Sequence, residues 1–155
     1  MTGALSTCYF GAQLADIVEG DVVVVLGARP VGLCAAKSAW LMGAGRVVVI
    51  DQIYYRLEMA RTFAHAETLN FTEHADIVVT MKQMTDHLGA DRVIDAVGAE
   101  ADGNFTQHVT SAKLKLQGGS PIALNWAIDG VRKGGTISVM GAYGSMFSAV
   151  SSATR

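Results

Sequence analysis

Five consecutive apolar residues, Val22, Val23, Val24, Val25 and Leu26, run directly into Gly27-Ala28-Arg29-Pro30-Val31-Gly32. A run with no polar face must be covered on both sides, as a strand inside a parallel sheet is. Gly27 lets the chain turn sharply out of that strand. Pro30 stands where a helix begins without missing its amide hydrogen, and Gly32 lets the new helix lie close on the sheet. A second apolar run, Val47-Val48-Val49-Ile50, ends in Asp51. That places a carboxylate about 20 residues beyond the last glycine, the spacing for gripping an adenosine ribose. The pattern is a dinucleotide-binding unit with one departure: Arg29 occupies the middle glycine of G-x-G-x-x-G.

The rest of the chain alternates helix and strand. A helix is predicted over 6–17, with Ser6 or Thr7 capping its start, before a turn at 19–21. The first crossover helix is predicted over 30–42 and a strand over 46–50. The next helix, over 54–63, carries Leu57, Met59, Ala60 and Phe63 inward and stops at His65, a residue type that tolerates the left-handed conformation. Further predictions are a strand over 68–71, a helix over 75–88 closed by Gly89, and a strand over 92–97 ending at Gly98. Residues 100–120 read as a polar loop with a short helix near 113–116. Pro121 opens a helix reaching residue 132, which Gly134-Gly135 stops, and a fifth strand covers 136–140 before the turn at Gly141-Ala142. The alternation predicts an α/β fold, a doubly wound and mostly parallel sheet over residues 1–144 with a mobile tail over 145–155. Right-handed crossovers then bring Gly27, Asp51, Gly98 and Gly141 to one edge.

Composition narrows the function classes. Half of the 155 residues are hydrophobic and 17% are charged, which suits a packed core and excludes disorder. A net charge of −2 gives no basic footprint for nucleic acid. No segment has the length of a membrane span or the form of a secretion signal, so a soluble cytoplasmic chain is expected. Cys8 and Cys34 have no metal-ligand spacing and read as packed thiols. His65, His74, His87 and His108 are scattered, Met81 and Met84 read as filler, and Asp95 as a structural carboxylate. Asp51 has a second reading, as the cap of the helix that follows it.

Four stretches carry a resemblance: Thr7-Cys8-Tyr9-Phe10-Gly11-Ala12, the glycine loop from Leu26 to Leu33, Val93-Ile94-Asp95-Ala96-Val97-Gly98, and Ala127-Ile128-Asp129-Gly130-Val131-Arg132-Lys133-Gly134-Gly135-Thr136-Ile137-Ser138-Val139. In order and spacing they resemble the cofactor-binding domain of the zinc-containing medium-chain alcohol dehydrogenases, nearest the formaldehyde-dehydrogenase-like branch. The resemblance implies that Asp51 accepts from the adenosine ribose, favouring NAD over NADP, with the basic Arg56 beside it. It places Pro30 and Val31 at the pyrophosphate, Val97, Gly98, Gly141 and Ala142 along the pocket, and Thr7 near the nicotinamide.

The resemblance also implies departures. The catalytic domain that supplies cysteine, histidine and acidic ligands to zinc in that family does not precede Met1, an acidic ligand aligns with about Gly3, and the last strand of the sheet is missing. The expectation is a cofactor domain truncated at the last strand, inactive alone, which binds NAD and self-associates through its uncovered edge. Arg29 has two readings: its guanidinium meets the pyrophosphate, or it damages the loop where backbone should approach phosphate, at about 1 kcal/mol if a positive φ is needed. Two other functions stay open: a non-catalytic nucleotide-sensing or partner-binding module, and an inactive fragment with impaired NAD binding.

Overall fold

The computed structural model describes residues 2–97 and 122–140. Five strands, β1 (Val22–Leu26), β2 (Arg46–Asp51), β3 (Glu67–Asn70), β4 (Ala90–Asp95) and β5 (Val131–Val139), form one sheet in the order β3-β2-β1-β4-β5. Every pairing is parallel. Alternate residues of the apolar runs divide between two cores. Val23, Val25, Val47 and Val49 face one layer, and Val24, Leu26, Val48 and Ile50 the other. Both faces are therefore buried, which is why the runs contain no polar alternation.

The first layer comprises α1 (Thr2–Leu14), α2 (Pro30–Leu41) and α3 (Tyr54–Ala64); α4 (Ile77–Gln83) and α5 (Ile122–Gly130) cover the opposite face. The chain winds from β1 outward to β3, then returns across the sheet to β4 beside β1. Strand order reverses at that point, so the crevice between the carboxyl ends of β1 and β4 is where a doubly wound fold places its ligand.

Several element limits differ from the sequence reading. Helix α1 begins earlier and ends at Leu14, so Ser6 and Thr7 lie inside it rather than at its start. Its buried stripe is Cys8 and Ala12; Ala15, also buried, follows in the turn, where Asp16 is left-handed (φ 54°). In α3 the spacing of Leu57, Ala60 and Ala64 defines the inner stripe, which leaves Met59 and Phe63 on the flank, about half exposed. His65 does close that helix in the left-handed region, at φ 52° and ψ 32°. Helix α4 is short, because Asp86 and His87 both adopt positive φ and Thr85 turns its hydroxyl onto the backbone at Met81 and Lys82. Its start is fixed by Asp76, whose carboxylate accepts from the amides of Val78 and Val79.

The largest shift is at the last boundary. Helix α5 stops at Gly130 rather than residue 132, and β5 takes Val131 to Val139 instead of 136–140. Val131 pairs with Ala90, and Arg132 forms an ion pair with Asp91, so both residues gain more in the sheet than in another helical turn. A register irregularity between Ala90 and Arg92 absorbs the mismatch, with Gly134 at φ 75°. The expected loop and short helix over 100–120, the tail over 145–155, Pro121 and His108 lie outside the described residues.

Candidate functional site

Strand β1 delivers Gly27 to the carboxyl edge at φ 95°, a conformation that strains any residue with a Cβ. The Gly27 amide donates to the Ile50 carbonyl (2.8 Å), and the Ala96 amide donates to the Leu26 carbonyl (3.0 Å), so the turn is held by both neighbouring strands. Gly32 then packs directly against this turn. A Cβ there would overlap the Gly27 carbonyl oxygen and lie 3.0 Å from its carbon. Glycine is required at this contact by the approach of helix to loop, as the sequence spacing implied.

Arg29 is the residue before α2, with φ −72° and ψ 169°, and its side chain makes no capping hydrogen bond. This is ordinary extended backbone, so the conformational cost attached to its replacing glycine is absent. Its carbonyl accepts from the Leu33 amide (2.9 Å) and so starts the helix. Pro30 occupies the first turn, where it has no amide to leave unmet, and the first-turn amides of Val31 and Gly32 precede that first helical bond.

Asp51 ends β2 and is buried, with 8% of its surface exposed. One carboxylate oxygen, Oδ2, accepts from the Ala28 amide in the glycine loop at 2.8 Å. The other, Oδ1, accepts from the amides of Gln52 (2.7 Å) and Ile53 (3.0 Å). Ile53 is itself the residue that starts α3, without a side-chain cap, so Asp51 is not the cap of that helix. A carboxylate offers about four acceptor positions. Three are taken by amides, which leaves one, on Oδ2. Arg56, on the first turn of α3, brings Nη1 to 4.0 Å from Oδ2. Its guanidinium also lies over the Tyr55 ring, 5.7 Å from the centroid.

The structure therefore brings together Gly27, Arg29, Pro30, Val31, Gly32, Asp51 and Arg56. Val97 joins them: its Cγ2 lies 3.2 Å from where a Gly27 Cβ would stand. Thr7 lies on an exposed part of α1, one turn before Gly11, which meets Met140 at the end of β5. The Gly11 carbonyl also accepts from the buried Ser138 hydroxyl at 2.7 Å. Gly98, Gly141 and Ala142 lie outside the described residues.

Two supports escaped the sequence reading. The Ala28 amide is the loop's contact with Asp51, and any residue but proline could have supplied it. Asn70, buried at the end of β3, donates from Nδ2 to the Gln52 carbonyl (3.2 Å) and accepts from the Thr72 amide, bracing the segment that Asp51 orders. An asparagine in the last positions of a short strand was the available signal. Asp95 is fully buried and accepts from the Val97 amide at 3.0 Å, a structural carboxylate as read.

Among the described residues no three histidine, cysteine or acidic side chains assemble a metal site. No helix among them is long and apolar enough to cross a membrane.

Residues 30–115 match the sequence profile of the zinc-binding dehydrogenase family. The chain is 42% identical over 144 residues to the zinc-type alcohol dehydrogenase-like protein AdhB of Bacillus subtilis, covering 93% of this chain and 38% of that one. It is 36% identical over 137 residues to the glutathione-independent formaldehyde dehydrogenase of the same organism, covering 88% of this chain and 31% of that one. Among solved structures, alcohol dehydrogenase TADH from Thermus sp. ATN1 superposes with a TM-score of 0.73 at 31% identity, over 91% of this chain and 35% of its own. The chain thus spans about a third of the length of these relatives.

Proposed function

The chain belongs to the zinc-binding dehydrogenase family, as the part that builds the nucleotide-binding sheet, and from that premise we propose that it binds NAD across the carboxyl ends of β1 and β4. One observation carries the choice of ligand. Asp51 is locked by three backbone amides yet keeps an acceptor position, next to the glycine turn, for a ribose hydroxyl. A 2′-phosphate in the same place would meet a carboxylate. Arg56 beside it is the residue that gives NADP its competing claim.

In this reading the amides of Val31 and Gly32, with the α2 dipole behind them, face the pyrophosphate. Gly27 and Gly32 hold loop and helix close together, and Val97 walls the adenosine side. Thr7, together with Gly98, Gly141 and Ala142, is assigned to the nicotinamide side by the family resemblance alone. Bound NAD supplies a hydride acceptor; these residues supply its position and exclude water from its adenosine half. Following the relatives, we assign the activity that this domain serves an alcohol or aldehyde substrate.

Calorimetry of the chain with NAD and with NADP tests the proposal. Saturable binding with NAD tighter than NADP is expected. NADP binding as tight or tighter would remove Asp51 from the ribose role, and no saturable heat with either would overturn the site. Arg29→Gly separates the two readings of that residue: tighter NAD binding is expected if its side chain obstructs the loop, and weaker binding if its guanidinium meets the pyrophosphate.

A further inference from the structure

Cys8 and Cys34 are 26 positions apart in the sequence, on helices that pack against one another through small residues. Ala12 of α1, Ala15 just after it, and Ala35, Ala36 and Ala39 of α2 are all completely buried in one cluster, and side chains this small let two helix axes approach closely. Cys8 lies on the same stripe of α1, one turn before Ala12, and is 1% exposed. Cys34 lines a groove of about 450 Å³ between α1, α2 and α3, together with Leu5, Tyr9, Leu41 and Phe63. Leu5 and Tyr9 belong to the turn of α1 that carries Cys8. Both thiols are free. Cys34 lies near enough to the Cys8 thiol to act on it directly.

We propose that Cys8 and Cys34 form a peroxide-responsive dithiol that closes to a disulfide between α1 and α2. Their inequality sets the order of events. Cys34 opens onto the groove and reacts first. Cys8 is closed off from solvent, and burial, and then Cys34 beside it, push its thiol above the ordinary range, so it is the slower of the two to react.

The Cys34 thiolate attacks one oxygen of hydrogen peroxide. The O–O bond breaks, hydroxide leaves and takes up a proton as water, and Cys34 becomes a sulfenic acid. Cys8 then gives up its proton and attacks the Cys34 sulfur. The S–O bond breaks, and the second oxygen leaves as water. Two thiols are oxidised to one disulfide, and one peroxide is reduced to two waters. The pair needs no nucleotide, so this proposal stands apart from the assignment of the carboxyl-edge crevice.

The test treats the full chain with increasing hydrogen peroxide, alkylates the remaining thiols under denaturing conditions and maps the peptides. Trypsin leaves both cysteines in one peptide because Arg29 precedes Pro30, whereas cleavage after Glu19 separates them. The expected result is the joint loss of both thiols, a Cys8–Cys34 linked peptide pair, and full recovery with dithiothreitol. In Cys34→Ser, Cys8 should remain alkylatable at the same peroxide dose. In Cys8→Ala, Cys34 should accumulate as a sulfenic acid trapped by dimedone. Cys34 is only half-buried, so Cys34→Ser keeps the test valid even if the cavity left by Cys8→Ala prevents folding. Oxidation of Cys34 to sulfinic acid while Cys8 stays free in the unmutated chain would overturn the proposal, as would linkage only between chains.

Discussion

Replacing Asp51 by asparagine separates what this residue does for the fold from what it does for a nucleotide. The side chain keeps its shape and loses an acceptor. If asparagine keeps its oxygen toward the amides of Gln52 and Ile53, its amide group takes the place of Oδ2 and points a donor at the Ala28 amide. The opposite rotamer satisfies Ala28 and leaves the other two amides facing a donor, which is worse. At least one buried amide therefore loses its partner, at a cost of about 1–3 kcal/mol. In a domain of this size each kcal/mol moves Tm by about 2–4 °C, so a loss near 2 kcal/mol lowers it by about 4–8 °C. Binding should suffer separately. A hydrogen bond to a charged acceptor is worth about 1.5–3 kcal/mol, or roughly 10- to 150-fold in Kd for NAD. Thermal melts and calorimetry on the same preparation read the two effects. A melting point within about 1 °C of the unmutated chain would refute the bracing of the loop by Asp51. A lowered melting point with unchanged NAD affinity would refute its ribose role and leave it a structural residue.

Gly32→Ala drives a methyl group into the Gly27 carbonyl, so helix and loop must part; a loss of about 1–3 kcal/mol in urea unfolding is expected, together with weaker NAD binding. His65→Gly relieves a left-handed residue at the end of α3, and its Tm should rise by about 1–4 °C, the value of roughly 0.5–1 kcal/mol after the added chain entropy. Acid should unfold the chain through Glu67 and Asp91. Pairing with Arg46 holds the Glu67 carboxyl low; burial works to raise Asp91, but the Val22 amide and the Arg132 guanidinium outweigh it and hold that carboxyl low too. Groups depressed in the folded state stabilise it above their unfolded values and lose that contribution as pH falls through the folded ones. Melting points should therefore be level near neutrality and fall below pH about 4, and Asp91→Asn should flatten that fall. An unaltered acid limb in that variant would remove Asp91 from the account.

Much of the site was legible because its constraints are local. Gly27, Pro30, Gly32 and Asp51 are each demanded by a turn, a helix start, a close approach or a strand end, and those needs leave marks at fixed spacings. His65 was legible for the same reason, since the stop of α3 depends on one residue's tolerance of positive φ. Arg29 was half legible. Its identity signalled a departure, but its extended backbone, which removes the strain, depended on how α2 meets the loop. The boundaries of α5 and β5 were misread because helical rhythm and glycine stops describe the segment alone. Pairing of Val131 with Ala90 and of Arg132 with Asp91 joins residues about forty positions apart in the chain, and periodicity is blind to such partners.

What the sequence determined by itself is the architecture: two unbroken apolar runs can be satisfied only between two layers of helices, and the elements that follow each strand must then return on the same hand. What only the tertiary structure decided is who faces whom. The Ala28 amide against Asp51, Asn70 under the Gln52 carbonyl, and Cys8 against Cys34 are meetings between distant segments, whose free energy depends on both partners' positions at once. A backbone amide leaves no trace in the one-letter code, and a thiol leaves one that is silent about its neighbour.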